Sequence, residues 1–201
     1  MQYIEKFGKQ PGAFNNMALI YRFDLGDYEK ALEYYDKAIE VLSEKALYYT
    51  NRANLYYFDL NEKEKALADY IKAIELDPEN AKRYYERGYY YYENEEEWEL
   101  ALADYKKAHE LDPEDEDYLF KLAYTASELD KYDTALSYYM QYIEKFGEDT
   151  ETLNNMALIY RNDLNDYEKA LEYINKAIKM VPEEPVFYGN RALLYLSLIH
   201  I

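Results

Sequence analysis

The chain has 201 residues, no cysteine and a formal charge of −18, from 23 basic and 41 acidic side chains. Without cysteine there is no disulfide frame, no thiolate metal site and no thiol nucleophile. A surface this acidic repels phosphate backbones, which excludes nucleic acid as a general partner. No apolar run is long enough to span a membrane and no charged-then-apolar leader opens the chain. No membrane contact is therefore expected of this fragment, and a cytoplasmic location is favoured.

Taken in chain order, the elements alternate between two helical patterns. Phe14, Ala18 and Tyr21 share one helix face, the turn Leu25-Gly26-Asp27 follows, and then Ala31, Tyr35 and Ala38 share another. The next pair runs from about Leu47 to Asp59, with Tyr49, Ala53 and Tyr56 in phase, through Leu60-Asn61-Glu62 to Ala66, Tyr70 and Ala73. Tyr84, Gly88 and Tyr91 precede Ala101, Tyr105 and Ala108; Leu119, Ala123 and Ala126 precede Ala135, Tyr139 and Tyr142. Leu153, Ala157 and Tyr160 lead through Leu164-Asn165-Asp166 to Ala170, Ile174 and Ala177, and Tyr188, Ala192 and Tyr195 begin the pattern again. Alanine lets a neighbouring helix approach closely, and the large residue fills the space beside it. Pro78 has no N–H and restricts its predecessor, so that helix should stop near Leu76 or Asp77. Gly26, Asn61 and Asn165 suit helix C-caps with positive φ. There is no strand signal.

The alanines Ala31, Ala66, Ala101, Ala135 and Ala170 lie 35, 35, 34 and 35 residues apart. A fixed period in this range means a stacked array of helix–turn–helix repeats. It divides the chain into a remnant second helix over residues 1–10, repeats at 11–45, 46–80, 81–115, 116–149 and 150–184, the first helix of a truncated sixth repeat at 185–195, and a tail at 196–201. One spacing varies. From the small residue of the first helix to the alanine of the second is 12 positions in the fourth repeat and 13 in the other complete repeats. The extra residue falls before the turn leucine and predicts either a first helix longer by one residue or a local π-bulge.

These positions carry a resemblance to the tetratricopeptide repeat family. The large residue of that family's first helix is matched by Phe14, Tyr49, Tyr84, Leu119, Leu153 and Tyr188, and its small residue by Ala18, Ala53, Gly88, Ala123, Ala157 and Ala192. Its turn aromatic is matched by Tyr28, Trp98, Tyr132 and Tyr167, with Lys63 as the exception. The resemblance covers about residues 11 to 195. It implies an all-α, right-handed superhelical solenoid with a concave, peptide-binding groove.

Residues 1–40 align without a gap on 140–179, with 29 identities, and Met1–Gly8 repeats Met140–Gly147. The offset of 139 is four repeats, which points to a duplicated block and to a fragment that starts inside a second helix. The real chain after Tyr195 is expected to read like the residues after Tyr56. Leu196-Ser197-Leu198-Ile199-His200-Ile201 matches nothing at that offset and resembles the translation of a transposon-based sequencing adapter. The alternative is an apolar tail that docks.

Little here suggests catalysis. His109 sits beside Ala108 and is expected to face solvent, and His200 lies in the tail. The runs Glu93–Glu97 and Asp112–Asp117 lack calcium-loop spacing and read as solvated turns. There is no Gly-rich phosphate loop and no nucleophile–base pair, so the chain is read as no enzyme, with no cofactor and no metal. What remains is the groove. By the resemblance, the first helices line it: Leu47, Thr50, Asn54, Tyr57 and Phe58 from the second repeat, and Lys82, Tyr85, Tyr89, Tyr92 and Glu93 from the third. The fourth adds Asp117, Phe120, Tyr124, Ser127 and Glu128; Arg22 and Arg161 stand at equivalent places in repeats one and five. Tyrosine offers large contact area at low entropy cost, so Tyr85, Tyr89, Tyr92 and Tyr124 are the expected hot spots, with Arg22 and Arg161 steering association. The competing reading of the 28 tyrosines is a compositional habit that fills core positions. Asn51, Asn54 and Lys82 match part of the family's carboxylate clamp, but Asn15, Leu19 and Glu86 replace its other members, which argues against that activity. The expected function is a protein–protein interaction scaffold holding a peptide or partner segment. The rivals are an architectural array with end-to-end self-association and a regulatory segment of a larger enzyme.

Overall fold

A computed structural model of the chain describes residues 10–93 and 95–199. The expectations for the remnant helix over 1–9, for Asn94 within the first acidic run, and for His200 and Ile201 lie outside these residues. The described residues form eleven α-helices and no strand, divided into two compact units at residue 95.

The first unit contains α1 (Pro11–Phe23), α2 (Tyr28–Val41), α3 (Ala46–Asn54), α4 (Lys63–Leu76) and α5 (Ala81–Tyr92). α3 continues into a π-helical turn over Leu55–Asp59. α4 stops at Leu76, ahead of Pro78. Pro11 opens α1, where its missing N–H costs nothing. Asp27 caps α2 by accepting from the Lys30 amide, and Asn80 caps α5 by accepting from the Lys82 amide. The core is the predicted face: Ala18, Ala31, Tyr35, Ala53, Ala66, Tyr70 and Ala73 are buried. Successive pairs are joined by Asn51, whose amide donates to Asn15 Oδ1 at 2.8 Å, and by Arg52, which makes a two-pronged bond to Asp69 and reaches Asp36 at 2.6 Å.

The second unit contains α6 (Trp98–Leu111), α7 (Glu116–Glu128), α8 (Tyr132–Phe146), α9 (Thr150–Asn162), α10 (Tyr167–Met180) and α11 (Pro185–Ile199). Its core runs through Ala123, Ala126, Ala135, Tyr139, Leu153, Ala157, Ala170, Ile174 and Ala177. The links of the first unit recur 139 positions on: Asn190 donates to Asn154 Oδ1 at 2.8 Å, and Arg191 donates to Asn175 Oδ1 at 2.9 Å. The stack of Tyr21 on Tyr34 at 5.3 Å likewise recurs as Tyr160 on Tyr173 at 5.6 Å. The expectation that His109 faces solvent is corrected. It is half-buried, its Nδ1 is shielded with no hydrogen-bond partner among the described residues, and burial, then the charge of Lys145, lowers its pKa.

The extra residue is absorbed by widening the last turn. In the fourth pair, Leu129 N–H bonds to the Thr125 carbonyl, four residues back, and Lys131 N–H to Ala126, five back, around Asp130 at φ 57°. In the second pair, Leu60 N–H reaches Leu55, five back, and Glu62 N–H reaches Tyr56, six back, around Asn61 at φ 54°. Pairs one and five repeat this lengthened closure around Gly26 and Asn165. The π reading therefore holds for the second pair. The longer helix does not occur in pairs one and five: α1 and α9 each have 13 residues, as α7 does. A wider ring of hydrogen bonds at the cap takes up one residue without lengthening the helix.

Candidate functional site

α3 with its π turn, α4 and α5 enclose a cleft of about 310 Å³. Five of the predicted groove residues line it: Asn54, Phe58, Lys82, Tyr85 and Tyr89. Tyr70 and Glu86 complete the lining. The π turn matters for this geometry, because it presents Phe58, which is 56% exposed, at the mouth of the cleft. Phe58 packs against Tyr57 edge to face at 4.8 Å and against Tyr89 at 5.9 Å. Tyr57 is half-buried, in contact with Tyr90 at 5.4 Å, and burial pushes its hydroxyl up to about 12. On the opposite wall, the Tyr70 hydroxyl donates to Asn54 Oδ1 at 2.5 Å. The Tyr70 ring is buried core, as its helix position predicts, but its hydroxyl end reaches the cleft, which the helix pattern alone does not reveal.

The charges in the cleft are unequal. Lys82 is exposed. Glu86 is mostly buried, 3.5 Å from Arg83 Nη1, and burial holds its carboxyl above the usual carboxylate range despite Arg83. A buried carboxylate where a clamp would need a cation disfavours an anionic ligand group and leaves an apolar, aromatic-walled site with hydrogen-bonding ends.

Four other predicted groove residues sit elsewhere in this unit. Thr50 is buried, donating to the Ala46 carbonyl and accepting from Arg83 Nη1 at 3.1 Å, so it is part of the packing and not of a surface. Leu47 lines a separate hollow of about 370 Å³ with Glu44, Lys45, Asp77 and Arg83. Arg22 is 9% exposed and bound to Asp59 and the Asn54 carbonyl, which corrects its reading as a steering surface cation. Tyr92, at the end of α5, is half-buried and outside the cleft lining.

In the second unit, Phe120 packs on Tyr139 and Tyr142 at 5.9 Å each and on Tyr124 at 6.3 Å. Tyr124 lines a second cleft of about 300 Å³ between α7, α8 and α9. Arg161 Nε donates to Asn162 Oδ1 at 2.7 Å. Ten of the described tyrosines, among them Tyr35, Tyr49, Tyr105 and Tyr139, are buried; Tyr85 and Tyr89 line the first cleft and Tyr124 the second.

Two family descriptions match the chain: TPR repeat over residues 57–95, and tetratricopeptide repeat over 11–41, 117–149 and 150–184. The chain belongs to the tetratricopeptide repeat family. No curated protein sequence matches it. Among solved structures, this tetratricopeptide array is similar to YrrB, described as a TPR protein with an unusual peptide-binding site, at 26% identity and TM-score 0.77 over 95% of this chain and 96% of that one. It is also similar to MamA, at 21% identity and TM-score 0.73 over 86% and 92% of the two chains. PilF of Pseudomonas aeruginosa follows at 18% and 0.72, over 94% and 84%. MamA and PilF speak to the fold alone. The tetratricopeptide fold is in general a non-enzymatic scaffold for protein–protein interaction. No helix among the described residues is long and apolar enough to cross a membrane.

Proposed function

We propose that this tetratricopeptide array holds an extended peptide segment of a partner protein, with an apolar or aromatic side chain seated in the cleft between α3, α4 and α5. The observation that carries the reading is the convergence of Phe58, Tyr85 and Tyr89 with Asn54 and Lys82 on one cleft. Aromatic rings around a concave, desolvated space are the usual anchors of peptide recognition, and Asn54 and Lys82 supply orientation. The likeness to YrrB supports it. The experiment is a peptide array screened with the folded chain, followed by Phe58→Ala and Tyr89→Ala on the best hit. An anchoring ring predicts a loss of about 2 kcal/mol, roughly thirtyfold in Kd. Unchanged affinity in both variants removes the cleft from the function.

A further inference from the structure

The cleft between α7, α8 and α9 carries charged groups of one sign only. Glu128 near the end of α7, Asp130 in the following turn and Asp163 at the end of α9 line it, and no lysine or arginine does. None of the three forms an ion pair among the described residues; Asp130 accepts from the Tyr132 hydroxyl at 2.5 Å. The nearest cations in sequence have partners of their own: Lys131 is held by Glu99, and Arg161 donates to Asn162 at the edge of the cleft. Tyr124, Tyr132 and Tyr139 bring aromatic surface to the same cleft, and Asn155 donates to the Tyr139 hydroxyl at 3.3 Å. The field is felt locally: hydrogen bonding to Asp130, with Asp163 beside it, holds the Tyr132 hydroxyl well above the ordinary tyrosine range.

Carboxylates gathered on one concave face repel one another when no cation sits among them. Aromatic faces beside them attract the same guest that the carboxylates do. We propose that this cleft receives the guanidinium of an arginine side chain presented by a peptide segment of a partner protein. Arginine fits better than lysine because its planar fork can bridge two carboxylates while its face lies on a tyrosine ring. The net charge of −18 steers basic segments toward the chain. The proposal rests on the reading that the array binds peptides, and it adds a second site with its own chemistry.

The test is an NMR titration of the whole chain with the blocked peptide Gly-Leu-Arg-Leu-Gly and with its citrulline counterpart, which has the same shape and no charge. The arginine peptide should shift the amides of Tyr124, Asn155 and Asp163 saturably, and the citrulline peptide should bind about tenfold more weakly. Glu128→Gln and Asp163→Asn should each weaken the arginine peptide about fivefold with the thermal melt unchanged. Equal binding of the citrulline peptide overturns the proposal. So do non-saturating shifts that spread equally to the Asp112–Asp117 run, wild-type binding by both variants, or spermine shifting these amides while the arginine peptide does not. The cleft at Tyr89 reports separately, through shifts at Phe58 and Tyr89, so failure at one site is not read as failure at the other.

Discussion

Arg22 Nε donates to Asp59 Oδ2 at 2.6 Å, and both side chains are largely shielded from water. The same guanidinium reaches the Asn54 carbonyl at 3.1 Å, so one arginine of α1 fastens the π turn of the next pair. Its copy 139 positions on, Arg161, donates to the neighbouring Asn162 Oδ1 instead.

Removing Arg22 strands a shielded carboxylate and a carbonyl. Arg22→Ala should therefore destabilise the first unit by about 2 kcal/mol. Arg161→Ala, which breaks no ion pair among the described residues, should cost less than about 1 kcal/mol. Urea unfolding of both variants, with a double-mutant cycle through Asp59→Asn, checks this. Equal losses for the two arginines would contradict it.

Ala73 is buried between α4 and its neighbours. Ala73→Glu places an unpaired carboxylate there and forces the helices apart, at a cost of several kcal/mol. The melting temperature should fall by about 10 °C or more. A melt within about 2 °C of the parent would show that Ala73 does not face a packed neighbour.

Asn61 closes the wide turn at φ 54°, a conformation that glycine adopts freely and β-branched residues resist. Asn61→Gly, which copies Gly26, should change stability by less than about 0.5 kcal/mol. Asn61→Val should cost about 1–2 kcal/mol. Chemical denaturation of the pair decides, and a tolerated valine would mean that the turn relaxes.

Glu86 has its pKa raised above 4.5 by burial. The folded chain therefore binds this proton more readily than the unfolded chain does. The stability this supplies is full below the unfolded pKa and is lost as pH rises through the higher folded pKa. Glu86→Gln removes that dependence, so the variant should gain on the parent as pH rises from about 4 to 7. The readout is the difference between the two unfolding free energies across that range. A difference that shrinks with rising pH would place Glu86's stabilisation on its charged form.

Much of this was legible in the sequence, because one helix face repeats with a fixed period. Ala31, Ala66 and Ala170 are buried where the spacing places them, and Gly26, Asn61 and Asn165 take the positive φ that their types allow. The cleft was legible in part. Phe58, Tyr85 and Tyr89 follow from offsets along a first helix, whereas Tyr70 enters from another helix, and only tertiary packing shows where its hydroxyl ends. Thr50 and Arg22 were misplaced for a related reason. A helix offset gives a direction, but a partner such as Arg83 or Asp59, 33 or 37 residues away, decides whether a polar group stays at the surface. Glu128, Asp130 and Asp163 converge by the same route, from two helices and a turn that no single window of sequence contains.

The matched bonds Asn51 to Asn15 and Asn190 to Asn154 bear on how such a gene can change length. DNA encoding two near-identical segments is prone to unequal crossing-over, which removes or inserts the 139 codons between them. The protein made after either event would meet at its new junction the same asparagine pair and the same stacked tyrosines that it already uses. Array length can then drift between generations with no unmatched interface for selection to act against, leaving only the clefts to decide which lengths are kept.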